Sequence, residues 1–241
     1  MRIKALSKET ENFYKTIIKD NKKLNLYINY SVFNVNWMSE LGILPEVIFD
    51  VGCNNGGDSI RFIQFWPGCE VHAFEADPTI YHQIKDYMED EGVILSNVGV
   101  SNEDGKRDFY PAKVKNALKP VICGSGTFVK SRAEDGDSRL IFLESIKIKT
   151  TSLYTYCQKN NIEEIDLLHV DVEGWELNVM KGLKDIKPKV VFAEQHTLIL
   201  TSEEINNFHE YMKNNNYVLK QVCNNTDYLY ILGGDNENKD E

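Results

Sequence analysis

The chain has 241 residues, 42% hydrophobic and 27% charged, which suits one large domain whose core needs neither disulfide nor metal and excludes wholesale disorder or collagen. Lys and Arg number 27 against 37 Asp and Glu, and the net charge of -10 with no dense basic run excludes a nucleic-acid backbone as partner. Five scattered cysteines (Cys53, Cys69, Cys123, Cys157, Cys223) without a CxxC pair exclude zinc-finger spacing and point to reduced thiols in a cytoplasmic compartment.

The N-terminus lacks the apolar stretch of a signal peptide, and no run reaches the roughly 18 apolar residues of a membrane span. Residues 1–44 read as an N-terminal extension, with a helix over Ser7–Lys23 and an aromatic stretch holding Tyr27, Tyr30, Phe33 and Trp37, closed by Pro45. From Val47 the pattern changes. Val47–Val51 reads as a strand buried on both faces, followed by a helix over Gly57–Trp66 and a strand over Glu70–Glu75. Asp77-Pro78 has the form of a helix start, and Ile80, Ile84 and Met88 recur at helical spacing. Val93–Val100 reads as a third strand.

Residues 101–150 interrupt the alternation and are read as an insertion, with strands at Arg107–Tyr110 and Ile146–Thr150 and a flexible loop at Gly124-Ser125-Gly126. The alternation then resumes: helix Ser152–Asn160, strand Ile165–Val172, helix Trp175–Leu183, strand Val190–Glu194 and helix Ser202–Asn214, with Thr201 and Glu204 at capping-box spacing. Tyr217–Val222 and Tyr228–Leu232 flank a turn and form a terminal hairpin, and the acidic tail 233–241 reads as disordered. The expected architecture is an α/β sandwich over 45–232, a mostly parallel sheet between helices, which binds ligands outside the carboxyl ends of its strands.

Candidate chemistry gathers at those ends. Asp50-Val51-Gly52-Cys53-Asn54-Asn55-Gly56-Gly57 follows the first strand, and glycines there let backbone turn tightly against a ligand. The spacing is GxxxGG, not the GxGxxG of a dinucleotide fold. Glu75 ends the second strand about 20 residues on, where a carboxylate accepts hydrogen bonds from ribose hydroxyls, so an adenosine-containing cofactor is expected. His169, Asp171 and Glu173 alternate and face one way if their strand continues that far, and the next strand ends in Glu194-Gln195-His196. Such a cluster suits acid–base work or a divalent metal, and the sequence leaves the two open.

These residues resemble the FkbM family of S-adenosylmethionine-dependent methyltransferases. Its D-V-G-A-N-x-G motif is similar to Asp50–Gly56, with Cys53 in place of alanine, and its F-E-P-x-P motif to Phe74–Pro78, with Ala76 for the first proline. Segments like the family's small-residue and glycine/serine-rich ones stand at Asn97–Ser101 and Gly124–Thr127. The I-D-x-L-K-x-D-V-E-G-x-E-L signature is similar to Ile165–Leu177, with His169 in the lysine place, and the late strand ending in Glu to Val190–Glu194. The resemblance implies a class I methyltransferase (Rossmann-like) fold of seven strands, the last antiparallel, and S-adenosyl-L-methionine as cofactor. Methyl transfer to a hydroxyl of a sugar in a glycan or of a small metabolite is implied with it. It places Asp50, Gly52, Asn54, Gly56, Glu75, Asn97 and Asp171 at the cofactor, and Asp171, Glu173, Glu194 and His196 at the methyl site, with a magnesium ion as an alternative to a protein base. A nicotinamide oxidoreductase and a non-catalytic cofactor-binding module are the competing classes; the GxxxGG spacing opposes the first, and the retained acids oppose the second.

Overall fold

The computed structural model describes residues 33–115, 122–135, 139–195 and 200–233. The Ser7–Lys23 helix, Tyr27, Tyr30, His196 and the tail from 234 lie outside them. The described strands are β1 (Val47–Val51), β2 (Glu70–Glu75), β3 (Ile94–Asn97), β4 (Gly99–Val100), β5 (Gly105–Val114), β6 (Ile122–Thr127), β7 (Leu140–Phe142), β8 (Ile146–Thr151), β9 (Leu167–Val170), β10 (Val190–Glu194), β11 (Tyr217–Cys223) and β12 (Asp227–Leu232).

Seven of them form the main sheet, in the order β11-β12-β10-β9-β1-β2-β3. Strands β10, β9, β1, β2 and β3 are parallel, and β12 runs antiparallel to both β10 and β11. This is the seven-stranded class I methyltransferase arrangement with its last strand antiparallel. Alternate side chains of β1 enter two different cores: Ile48 packs on one face, Phe49 and Val51 on the other. The first face carries helices Asn36–Glu40, Gly57–Phe65 and Pro78–Asp90 through Met38, Phe62 and Met88. The second carries Leu153–Asn160, Glu176–Lys181 and Ser202–Asn214 through Cys157, Val179 and Phe208. The helix starts follow from sequence. Asp77 accepts a hydrogen bond from the Thr79 N–H with Pro78 in the first turn, and Thr201 and Glu204 close a reciprocal capping box.

The stretch ahead of Pro45 contributes to the core. Phe33 is buried and meets Trp37, Phe62 and Phe192 edge-on, and its carbonyl accepts from Arg61. At the amino ends of the strands, Asp166 accepts from the Glu46 and Val47 N–H groups and from Lys189 Nζ, which ties β1, β9 and β10 together there.

Three expectations need correction. The third strand is broken at Val98, because β3 pairs with β2 while Gly99-Val100 leaves for a second sheet beside β8. That second sheet has the order β4-β8-β5-β6, with β7 also on β5, and takes up most of residues 99–151. Gly124-Ser125-Gly126 lies in strand β6, not in a loop. Its glycines are needed for closeness: a Cβ at Gly124 would stand 2.2 Å from Asn54 Cγ, and one at Gly126 would stand 2.4 Å from the Phe109 ring. Finally β9 ends at Val170, so His169, Asp171 and Glu173 do not share one strand face.

Candidate active site

Because β1, β2, β9 and β10 are parallel and in register, Val51, Glu75, Asp171 and Glu194 emerge at one edge of the sheet. The glycine loop begins there. Gly52 and Cys53 donate backbone hydrogen bonds to the Phe74 carbonyl, so the loop is pinned to β2 as it turns. Gly52 has φ +86°, and a Cβ on it would stand 1.8 Å from the Asp171 carbonyl oxygen, so no other residue fits. Asn54 is also left-handed, at φ 48°, and its side chain lies against Gly124 of β6.

A cleft enclosing about 410 Å³, part of it open to solvent, lies along this edge. Gly52, Glu75 and Asp171 line one side; Phe109, Gly126 and Phe128, from the second sheet and the residue after it, line the other. Glu75 is 6% exposed and accepts a hydrogen bond from the Asp77 N–H at 2.8 Å. Burial, joined by the nearby Asp77 and Asp50 charges, outweighs the backbone N–H groups that favour its carboxylate and pushes it up to about 8. The Asn97 amide donates to the Glu75 carbonyl and so fixes the end of β2.

Asp50 also serves inward. Its Oδ1 stands 2.9 Å from His169 Nδ1, and its Oδ2 accepts from Ser59 Oγ at 2.5 Å, so both oxygens are engaged within the protein. Burial alone would lower His169, but the hydrogen bond and charge of Asp50 outweigh it and hold the imidazole up at about 9. The position where the family signature has lysine is thus filled by an imidazole whose protonated form the Asp50 carboxylate favours.

Past β9 the acids separate into distinct roles. Among the described residues no N–H or hydroxyl reaches the buried Asp171 Oδ1, and its carboxyl lies within hydrogen-bond reach of Glu194. Burial and the charges of Glu194 and Glu173 raise Asp171 well above the usual carboxylate range; burial, with Glu173 and Asp227 adding, raises Glu194 to about 7. Glu173 is left-handed at φ 57°, and its carboxylate meets Arg132 at 2.5 Å. Its carbonyl accepts from Arg132 at 2.7 Å and from Thr127 at 2.9 Å. Glu176 Oε1 accepts from the Val172 and Gly174 N–H groups, which closes the turn from the other side.

Arg132 and Phe128 are not marked by the sequence because they lie some 40 residues away; Thr127 stands in the segment resembling the family's glycine/serine-rich one, without a role assigned to it. A signal for Arg132 is arginine itself, with only five in a lysine-rich chain. Among the described residues, no three His, Cys, Asp or Glu side chains converge as metal ligands, and His196 is outside that set.

A glycine cradle, a buried acid ending the second strand and a carboxylate oxygen unpartnered among the described residues fit a nucleoside cofactor bearing a cationic centre, on a sheet of methyltransferase order. The family model of the methyltransferase FkbM domain matches residues 50–219, and the chain belongs to that family of S-adenosylmethionine-dependent methyltransferases. Among curated proteins it is similar to 2-O-methyltransferase NoeI of Sinorhizobium fredii, 30% identical over 148 residues, covering 61% of this chain and 60% of that one. It is also similar to 31-O-demethyl-FK506 methyltransferase FkbM of Streptomyces tacrolimicus, 30% identical over 170 residues, covering 63% and 65%. The chain thus spans less than two thirds of the length of either relative. A solved structure it resembles is S-adenosylhomocysteine-bound PaMTH1 of Podospora anserina, with TM-score 0.49, 10% identity and coverage of 97% of this chain and 100% of that one.

Proposed function

We propose that the protein is an O-methyltransferase that moves a methyl group from S-adenosylmethionine to a hydroxyl of a sugar or small metabolite in a cytoplasmic compartment, with 45–232 as its catalytic domain and 101–150 as an insertion within it. The observation that carries this reading is the Asp171–Glu194 pair at the carboxyl ends of β9 and β10, beside the cleft lined by Gly52 and Glu75. The names of both curated relatives, a 2-O-methyltransferase and a methyltransferase of 31-O-demethyl-FK506, support oxygen as the acceptor atom.

When bound, the cofactor would supply a methyl group on a sulfonium centre and leave as the thioether. Gly52, Asn54 and Gly56 would hold it and Glu75 would accept hydrogen bonds from its ribose, and the acid edge would favour its positive charge. The ionised member of the Asp171–Glu194 pair takes the proton that the acceptor hydroxyl gives up on methylation. A base so placed contributes about 10²–10⁴ to the rate, and in-line alignment contributes the rest. No step of this passes through a metal.

Calorimetric titration with S-adenosylhomocysteine tests the cofactor, and isotope-labelled S-adenosylmethionine with panels of oligosaccharides and hydroxylated small molecules tests the acceptor. Affinity of order micromolar and label in an ether product support the reading. Folded protein that ignores S-adenosylhomocysteine but binds a nicotinamide dinucleotide overturns it.

A further inference from the structure

Three carboxylates meet beyond β9, and among the described residues the inserted segment supplies a cation to one of them, Glu173. Arg132 is carried by the helix Lys130–Asp135 that follows β6. Its side chain is 8% exposed, and the guanidinium lies against the Phe142 ring. One nitrogen holds the Glu173 carboxylate and another holds the Glu173 carbonyl, where Thr127 adds a second donor. Glu173 is the left-handed residue between Asp171, which lines the cleft, and Gly174. A left-handed glutamate is strained without compensation. The contacts from the insertion supply the compensation, and they fix which way the turn presents Asp171.

Resting on the reading of the cleft as a sulfonium-cofactor site, we propose that Arg132 is a positioning residue of the methyl-transfer centre: it holds the Glu173 turn and offsets the Glu173 charge, and so limits the negative field that the sulfonium meets beside the Asp171–Glu194 pair. Among the described residues, the other charged groups facing this pair are His169 on β9, Glu176 on the following helix and Asp227 on β12. None of them is in a position to neutralise Glu173. His169 is bonded to Asp50, and the other two are acids.

The cofactor pair itself is the probe, since S-adenosylmethionine is a sulfonium cation and S-adenosylhomocysteine is its thioether without that charge. The preference for the first over the second reads the local charge and needs no acceptor. At mildly alkaline pH, calorimetry on Arg132→Gln should show that preference raised about threefold or more, because an unpaired carboxylate is released beside the cleft. Glu173→Gln alone should lower it by a similar factor, because it leaves the guanidinium uncompensated, and the double variant should return near the wild-type ratio. Arg132→Lys, which keeps the charge, should leave the ratio within about twofold. A purely structural role predicts weaker binding of both molecules with an unchanged ratio, and that result overturns the proposal, as does a double variant that fails to compensate. If Arg132→Gln does not fold, the opposite shift in Glu173→Gln decides the matter alone. Wild-type protein that binds neither molecule removes the cofactor reading and this inference with it, whereas normal wild-type binding with flat ratios removes only the inference.

Discussion

His169 Nδ1 on β9 lies 2.9 Å from Asp50 Oδ1 on β1, and the imidazole stacks at 12° on Phe192 of β10, so one ring joins the three central strands directly beneath the glycine loop. Asp50 is fully buried and His169 largely so, and Asp50 gains a second hydrogen bond from Ser59.

Removal of this ring should therefore cost more than its area. His169→Ala leaves a buried Asp50 charge without its cation and is expected to destabilise the fold by about 3 kcal/mol or more in urea denaturation, with His169→Lys closer to wild type. The pH dependence has a definite sign. A folded-state value near 9 against the ordinary 6.5 means the contribution is whole below about 6.5 and fades as pH climbs through about 9. A melting profile flat across that window would show that the pair is not ionised.

Gly52→Ala places a methyl group 1.8 Å from the Asp171 carbonyl and forces a side chain into φ +86°. The two strand ends must separate. We expect loss of about 2–3 kcal/mol of stability and no calorimetric signal with S-adenosylhomocysteine, whereas Gly68→Ala, with φ +100° and open space, should keep binding intact.

Glu75→Ala should weaken S-adenosylhomocysteine by tenfold or more, given charge-assisted hydrogen bonds worth about 1.5–3 kcal/mol. Because its carboxyl is held up near 8, affinity in the wild type should rise as pH climbs toward that value, where the accepting form prevails, and the rise should vanish in Glu75→Gln. Titrations in buffers of different ionisation enthalpy would detect the released proton.

Glu194→Gln should leave S-adenosylhomocysteine affinity within about threefold while lowering turnover about a hundredfold with any acceptor the panels identify. The acid limb of the wild-type rate profile should fall near 7, since the base must be ionised to work. An unchanged limb in the variant would assign the proton to another group.

Phe33→Ala tests the stretch ahead of Pro45. Phe33 is 1% exposed and touches three aromatic rings, so truncation is expected to cost about 3–5 kcal/mol by chemical denaturation.

The central sheet was legible because its strands are apolar on both faces and its helices carry their own start signals. Glu70–Glu75, Val190–Glu194 and the Thr201 capping box stand where local sequence puts them. The cleft side of Gly52 and Glu75 was legible for the same reason, as both follow directly from strand ends. Misreadings arise where local pattern and tertiary contact disagree. Gly124-Ser125-Gly126 has the composition of a loop, yet it pairs as a strand because Asn54 and Phe109 occupy the space its side chains would take. Period-two spacing put His169, Asp171 and Glu173 on one face, but the strand stops at Val170 and each turns to a different partner: Asp50, Glu194 and Arg132. No local signal encodes a partner 41 or 119 residues away.

The shared construction of the cleft bears on how such an enzyme can be altered. Phe109, Gly126 and Phe128 form a wall of the pocket, and Arg132 grips the turn beside it. Exchanging residues 101–150 between relatives to redirect acceptor choice would therefore remove one wall of the cleft proposed to hold the cofactor in the same stroke. Grafts that spare 105–114 and 122–132 and vary only the chain between them are the ones that should keep the cofactor.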